Sequence, residues 1–328
     1  MSRTINWGII GPGKIANRFA SSFEAIPDAT LYGVASRNLE KAKSFALDHN
    51  IPNYFDDYEA LVNDPHIDVV YIATPHAFHL EQTLLCLQNK KAVLCEKPLT
   101  LNHKYAVEMV TAARSRSVFL MEAMWSRFFP TTMKTLELIR AGAIGDVKYL
   151  RADFGFKVPS YDPKSRLFDL SLGGGALLDV GVYPLFLALL ILGRPDSIKS
   201  LASLAPTGAD EIVNAIFHYK NGTMANILSS IIIDTPKDAE IIGTTGTITI
   251  HTPWHKANSL TVTKNSGKQQ RYDFPYEGTG FEYQIQEVTR CLQNNQTESK
   301  LMPLDLSLMM ADVSDEIRKQ CGVVYPED

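Results

Sequence analysis

The first 124 residues alternate short apolar runs with helix-length amphipathic stretches, and no other feature constrains the fold as tightly. INWGII, ATLYGVAS, VVYIAT, AVLCEKP and VFLMEAM are apolar or β-branched runs. Between them lie KIANRFASSFEAI, LEKAKSFALDHN, a short NYF followed by DYEALVND, then FHLEQTLLCLQNK and HKYAVEMVTAARSR, which read as helices. Strands apolar on both faces need cover on both sides, and helices between successive strands supply it. The pattern predicts a doubly wound parallel sheet of βαβ units.

Beyond about residue 127 the rhythm changes. VKYLRADFGF, IVNAIFHYKNGTMANILSSII, AEIIGTTGTITIH and SLTVTKNSGKQQRYDF have strand composition, with turns at Asn-Gly, Thr-Gly and Ser-Gly and no helices between them. Asn221-Gly222 is the strongest hairpin signal in the chain. These segments predict an open, mostly antiparallel sheet, flanked by helices over residues 131–141, 176–192, 281–293 and 305–320. With 328 residues and a prior of roughly 150 per domain, two domains are expected, cut as 1–124 and 125–328.

Charge and apolar content exclude some classes. A net charge of −4 without a basic run gives no footprint for nucleic acid. The most apolar stretch, VYPLFLALLIL, is too short for a membrane span of about 20 residues and contains Pro184, so it reads as a buried helix. The N-terminus lacks a signal-peptide core. The four cysteines form no CxxC pair, and three sit in apolar patterns, which suits a reducing, cytoplasmic setting.

GIIGPGKIA places Gly11, Gly13 and Ala16 in a G-x-G-x-x-A array between a strand and a helix. Gly11 allows a tight turn, Gly13 lets main-chain amides approach a pyrophosphate, and Ala16 lets the helix pack closely on the strand. The amides reaching Lys14 and Ile15 then face the phosphates. At the end of the second strand, where a ribose-binding carboxylate is usual for NAD, stand Ser36 and Arg37. A guanidinium fork in place of a carboxylate favours NADP, with NAD possible. Thr74 ends the fourth strand, on the rim where open α/β sheets bind ligands. His76 and His79 have a spacing that could suit a metal, but no third ligand cluster accompanies them. Helix-start and packing roles are preferred, and no metal is expected.

Lys97 follows the fifth strand on the same rim. Far along the chain, GGGALLDVGVYPLF brings Asp179 and Tyr183 to one helix face at i and i+4. They read either as a buried structural pair or as groups that meet a substrate. Gly173, Gly174 and Gly175 would let a cofactor or substrate come close to the backbone.

Together, G-x-G-x-x-A, Glu96-Lys97-Pro98 and G-G-G-x-x-x-D-x-x-x-Y resemble the glucose-fructose oxidoreductase / inositol dehydrogenase / MocA family. MEAMWSRFFP and the tyrosine at 183 are similar to the branch containing dimeric dihydrodiol dehydrogenase and NADP-linked D-xylose 1-dehydrogenase. Many members carry histidine where Tyr183 stands. The resemblance covers essentially the whole chain. It implies a nucleotide-binding domain followed by an α/β domain whose open sheet often forms a dimer interface.

The resemblance further implies that Lys97 and Tyr183 face the nicotinamide and that Asp179 bonds substrate or Lys97. Trp125, Arg127 and Phe154 would line the pocket; Trp125 and Arg127 read equally well as a packed hinge. Cofactor contacts are expected from Gly11, Gly13, Lys14, Ile15, Ser36, Arg37, Thr74, His79, Glu96, Lys97 and Arg127. Tyrosine and lysine both titrate near 10, too high to accept a proton easily at neutral pH. A neighbouring cation lowers the phenol and burial lowers the amine, so either can be the immediate base. The expected function is NAD(P)-dependent hydride transfer at a hydroxyl-bearing carbon of a sugar, polyol or cyclic diol, by a homodimer. The alternative is a dinucleotide-sensing regulator without turnover.

Overall fold

Ile5–Ile10 (β1) is buried everywhere except at half-buried Asn6, as a central strand covered on both faces must be. The structure is a computed structural model describing residues 3–326 and 328. After β1 come Lys14–Ala20 (α1), Ala29–Ala35 (β2), Leu39–Asp48 (α2), Asn53–Phe55 (β3), Tyr58–Asn63 (α3) and Val69–Ile72 (β4). His79–Gln88 (α4), Ala92–Glu96 (β5), His103–Arg116 (α5) and Leu120–Ala123 (β6) complete the series. The strands pair in parallel in the order β3-β2-β1-β4-β5-β6. That order reverses between β1 and β4, so the crevice beyond their carboxyl ends is the place for a ligand.

β4, β5 and β6 are buried at every position. Val70, Ile72, Val93, Cys95 and Leu120 pack against Leu61 and Val62 of α3, Cys86 and Leu87 of α4, and Met109 and Val110 of α5. On the other face, Trp7, Phe19, Phe23 and Tyr71 cluster, with Phe19 stacked on Tyr71 at 3.7 Å between ring centroids. One expected helix is shorter than its pattern. KIANRFASSFEAI is helical only to Ala20, because the Ser22 hydroxyl donates to the Arg18 carbonyl (3.1 Å) and a 3₁₀ turn follows at Phe23–Ala25.

The second unit holds Pro130–Arg140 (α6), Val147–Gly155 (β7), Val182–Leu192 (α7), Ser197–Leu204 (β8), Asp210–His218 (β9) and Met224–Ser230 (β10). It continues with Ala239–Gly243 (β11), Gly246–Ile250 (β12), Ser259–Lys264 (β13) and Gln269–Asp273 (β14). The eight strands run β14-β13-β12-β11-β7-β10-β9-β8, antiparallel except for the β7–β10 pair. Asn221-Gly222 turns β9 into β10, with Gly222 at φ +82°. Period-2 alternation sends Leu150, Ala152, Val213, Phe217 and Ile227 inward. Leu201, Ile216 and Met224 stay exposed on the opposite face, Leu201 at 81 %.

Among the described residues, Leu170–Leu192 is the one helical stretch long and apolar enough to cross a membrane, and 83 % of its apolar window is buried inside the protein. It is the core helix of the second unit.

Glu282–Gln293 (α8) and Leu304–Cys321 (α9) close the chain. The first unit comprises residues up to Trp125 together with Glu277–Leu308, and the second comprises Ser126–Tyr276 and Met309–Asp328. A single cut after residue 124 therefore misses the return of residues 277–308. Phe281 meets Phe19 at 6.3 Å, and Leu304 joins the apolar core beside Leu120.

Candidate active site

The β1–α1 turn is shaped by Gly11 and Gly13 in different ways. Gly11 has φ +90°, and a Cβ there would lie 2.8 Å from Thr74 Cγ2 and 3.1 Å from the Ala73 carbonyl carbon. Only glycine fits. A Cβ on Gly13 would meet nothing within 4 Å, and Gly13 starts α1 without a side-chain cap. The first-turn amides at Lys14 and Ile15 thus border open space, while Ala16 is fully buried beneath them. This cradle fits a pyrophosphate.

At the end of β2, Ser36 is buried and its hydroxyl accepts the Asn38 amide at 3.2 Å. Arg37 is exposed, with its guanidinium 5.5 Å from the centroid of the Phe78 ring. Arg37 also hydrogen-bonds the Tyr58 phenol, whose pKa burial raises and Arg37 partly restores. A planar cation held on an aromatic face keeps donors available for an anion.

Thr74 donates its hydroxyl to Gln82 Oε1 at 2.7 Å, in the turn after β4. Two residues expected to contact the cofactor, His79 and Glu96, are buried. His79 is 0 % exposed, and its ring nitrogens lie 2.9 Å from the Pro98 carbonyl and 3.0 Å from the Thr74 carbonyl, so the ring joins the turn after β4 to the loop after β5. Glu96 is buried within β5, where one oxygen accepts the Tyr71 hydroxyl and the other lies 3.3 Å from the Lys97 amide nitrogen. Its carboxylate supports the end of the strand.

Lys97 itself is half-buried at the exit of β5 and is joined to Pro98 by a cis peptide bond. Two buried carboxyls feel its charge. Burial raises the pKa of Glu96, and Lys97 and Tyr71 oppose the rise. Burial likewise raises Glu122, opposed by Ser307, by the Leu99 amide and by Lys97.

In the second unit, residues Leu177–Gly181 form a π-helical turn that runs into α7. The wider turn carries Asp179, and the first α-helical turn carries Tyr183; both are 6 % exposed. Such turns concentrate at functional sites. Arg166 Nη1 donates to Asp179 Oδ1 at 2.8 Å. The Tyr183 ring lies 5.3 Å from Phe154 and 5.5 Å from His255, and His255 stacks on Phe154 at 4.2 Å. The His255 carbonyl accepts the Ser126 hydroxyl at 2.6 Å, next to buried Arg127, whose Nη1 lies 2.8 Å from Met133 Sδ. Trp125 belongs to the first unit, stacked at 4.7 Å on Phe281 with Arg18 above it at 5.9 Å.

His255 and Arg166 escaped sequence reasoning. His255 sits in the connection TPWHKAN, where a Trp-His pair between two strand patterns was the available signal. The glycine run also has a different reason from the one expected. A Cβ on Gly174 would lie 2.9 Å from the Leu167 and Asp169 carbonyl oxygens, and one on Gly175 would collide with Asp210 Oδ1. The close approach is by the protein's own chain. Asp210, fully buried, accepts the Leu177 amide at 2.6 Å, and burial pushes its pKa up to about 6.

Residues 5–124 match the model of an oxidoreductase family with an NAD-binding Rossmann fold, and residues 132–249 match the GFO/IDH/MocA C-terminal domain. The chain is also 41 % identical to trans-1,2-dihydrobenzene-1,2-diol dehydrogenase of Xenopus tropicalis, over 98 % of this chain and 99 % of the relative. The chain belongs to the GFO/IDH/MocA oxidoreductase family. As a member, it is a nicotinamide-dependent oxidoreductase acting on CH–OH groups. Among solved structures, levoglucosan dehydrogenase with NADH and levoglucosan superposes with a TM-score of 0.89 at 21 % identity, covering 98 % of each chain. KijD10, a 3-ketoreductase from Actinomadura kijaniata in complex with NADP and TDP-benzene, gives 0.86 at 24 % identity, covering 97 % of this chain and 98 % of that one. These two likenesses share the fold.

Proposed function

We propose that this oxidoreductase is an NADP-linked dehydrogenase that oxidises a ring-borne trans-diol or a cyclic sugar at one hydroxyl-bearing carbon. The observation that carries the reading is Lys97, half-buried at the carboxyl end of β5, in the strand next to the switch-point strand β4. A nicotinamide cofactor, when bound, would supply the hydride acceptor. Main-chain amides at Gly13, Lys14 and Ile15 would hold its pyrophosphate. Arg37, set on Phe78, would receive the ribose phosphate, and its place where NAD-binding units carry a carboxylate supports NADP over NAD.

The substrate hydroxyl loses its proton as the C–H bond breaks, so a base must stand at the oxygen. Lys97 and Tyr183 act as that proton-transfer pair, and Asp179, held by Arg166, orients the substrate hydroxyl or Lys97. Trp125, Phe154 and Arg127 line the pocket, with Phe154 and Tyr183 presenting aromatic surface to a flat ring. The names of the relatives favour a diol on an unsaturated ring. Free thiols at all four cysteines, three of them buried, support a cytoplasmic setting. The exposed apolar face of the second sheet supports a homodimer.

The test is NADP reduction by the purified protein over trans-dihydrodiols, aldoses and inositols. The expected result is turnover on at least one ring diol or sugar, faster with NADP than with NAD. NADP binding without turnover on any of them would replace this reading with a dinucleotide sensor.

A further inference from the structure

The chain that enters the π-helical turn is held by side chains from two distant parts of the second unit. Asp210, the first residue of β9, accepts the Leu177 amide at 2.6 Å, and the Tyr325 hydroxyl donates to the Gly174 carbonyl at 2.8 Å. Asp179 is tied to the same stretch, because its amide donates to the Gly175 carbonyl at 3.1 Å. Tyr325 is 2 % exposed, so water cannot take over its bond. It is itself clasped beyond the end of α9. The buried Arg318 sets its guanidinium 4.8 Å from the centroid of the Tyr325 ring and forks onto Asp328 at 2.6 and 3.1 Å, with Asp315 a further acceptor at 2.6 Å. Asp328 Oδ2 also accepts the Tyr325 amide at 2.9 Å. A planar cation bonded to two carboxylates and lying on the ring leaves the phenol little freedom.

We propose that Tyr325 is a positioning residue, whose bond to the Gly174 carbonyl fixes where the π-helical turn begins and so where the Asp179 carboxylate stands. This rests on the reading of Asp179 as the group that orients the substrate hydroxyl or Lys97. A π-turn is a rare, single-turn departure from the α-helix, so its start needs support from outside the helix. Orientation is costly to lose: an error of about 1 Å at a reacting group lowers the rate roughly 10²-fold.

Two substitutions separate this role from simple packing, with kcat measured on the fastest substrate of the diol and sugar panel. Tyr325→Phe keeps the ring under Arg318 and removes the hydroxyl. The expected result is a kcat lower by about 10- to 100-fold, with NADP binding within about 2-fold of wild type. Asp328→Ala keeps the hydroxyl and loosens the clasp, and its kcat should fall by at least about 3-fold. A purely structural role would lower the thermal midpoint and leave kcat unchanged at temperatures well below it. A wild-type kcat in Tyr325→Phe, or in Asp328→Ala if only that variant folds, would overturn the proposal.

Repeating Tyr325→Phe in an Asp179→Ala background separates this proposal from the reading on which it rests. Acting through Asp179, the substitution should cost less than about 2-fold there. An Asp179→Ala enzyme with the wild-type rate would sink the role of Asp179, and the proposal with it. A slow Asp179→Ala enzyme in which Tyr325→Phe still costs its full factor would sink only the positioning role.

Discussion

Arg37 and Tyr183 differ in exposure, and the roles proposed for them call for different tests. Arg37 is exposed, stacked at 5.5 Å on Phe78, and its substitution should alter binding alone. Arg37→Ala is expected to weaken NADP binding by about 10- to 100-fold, the worth of a charge-assisted pair of roughly 1.5–3 kcal/mol, with NAD nearly unchanged. Titrating both cofactors by fluorescence checks it, and an equal loss for both would contradict it. Tyr183 is buried against Phe154 and His255, so Tyr183→Phe removes a hydroxyl and keeps the ring packing. Its kcat should fall by roughly 10²–10⁴ with little change in thermal midpoint. Lys97, Tyr183 and Asp179 could be singled out in the sequence because chemistry-bearing side chains stood at marked positions, a strand end and a glycine-led helix, whereas Phe154 came only with the family resemblance. His255 was missed because the Trp-His pair marks its loop but not the strand on which that loop folds back.

At the scale of the element, the turn from Gly173 into α7 has its strictest requirement in Asp210. Its folded pKa is raised to about 6 by burial, above the ordinary 3.8. A carboxyl raised in this way favours the folded state below about pH 4 and loses that contribution as pH rises through 6. The full loss is on the order of 3 kcal/mol. Asp210→Asn retains an acceptor for the Leu177 amide and has no charge to bury. It should raise the urea midpoint at pH 8, and the two proteins should converge near pH 4. A pH-independent difference would show that Asp210 is ionised without penalty. The π-helical turn over Leu177–Gly181 was not legible, since apolar spacing over five residues does not distinguish it from an α-turn. The Asn221-Gly222 hairpin was legible for a local reason, the positive φ that glycine supplies. Gly222→Ala at φ +82° should cost about 1 kcal/mol or more, read from the denaturation midpoint.

For the whole molecule, the two sheets were readable from their different periods, whereas the return of residues 277–308 to the first unit was not. Helical spacing in FEYQIQEVTRCLQ says which face is apolar, not which sheet receives it. The same limit applies to Leu201, Ile216 and Met224, which are exposed in the single chain and on which the proposed homodimer rests. Light scattering should give twice the 36.5 kDa chain mass at micromolar concentration. Leu201→Lys with Ile216→Lys should give monomers that still bind NADP, and a wild-type monomer would contradict the assembly. In the proposed reaction Lys97 takes part in removing the substrate proton. Its most direct test is the turnover number of Lys97→Met, with the best substrate found in the diol and sugar panel and saturating NADP. The rate should fall by roughly 10²–10⁴ with cofactor affinity retained. A wild-type rate would contradict it.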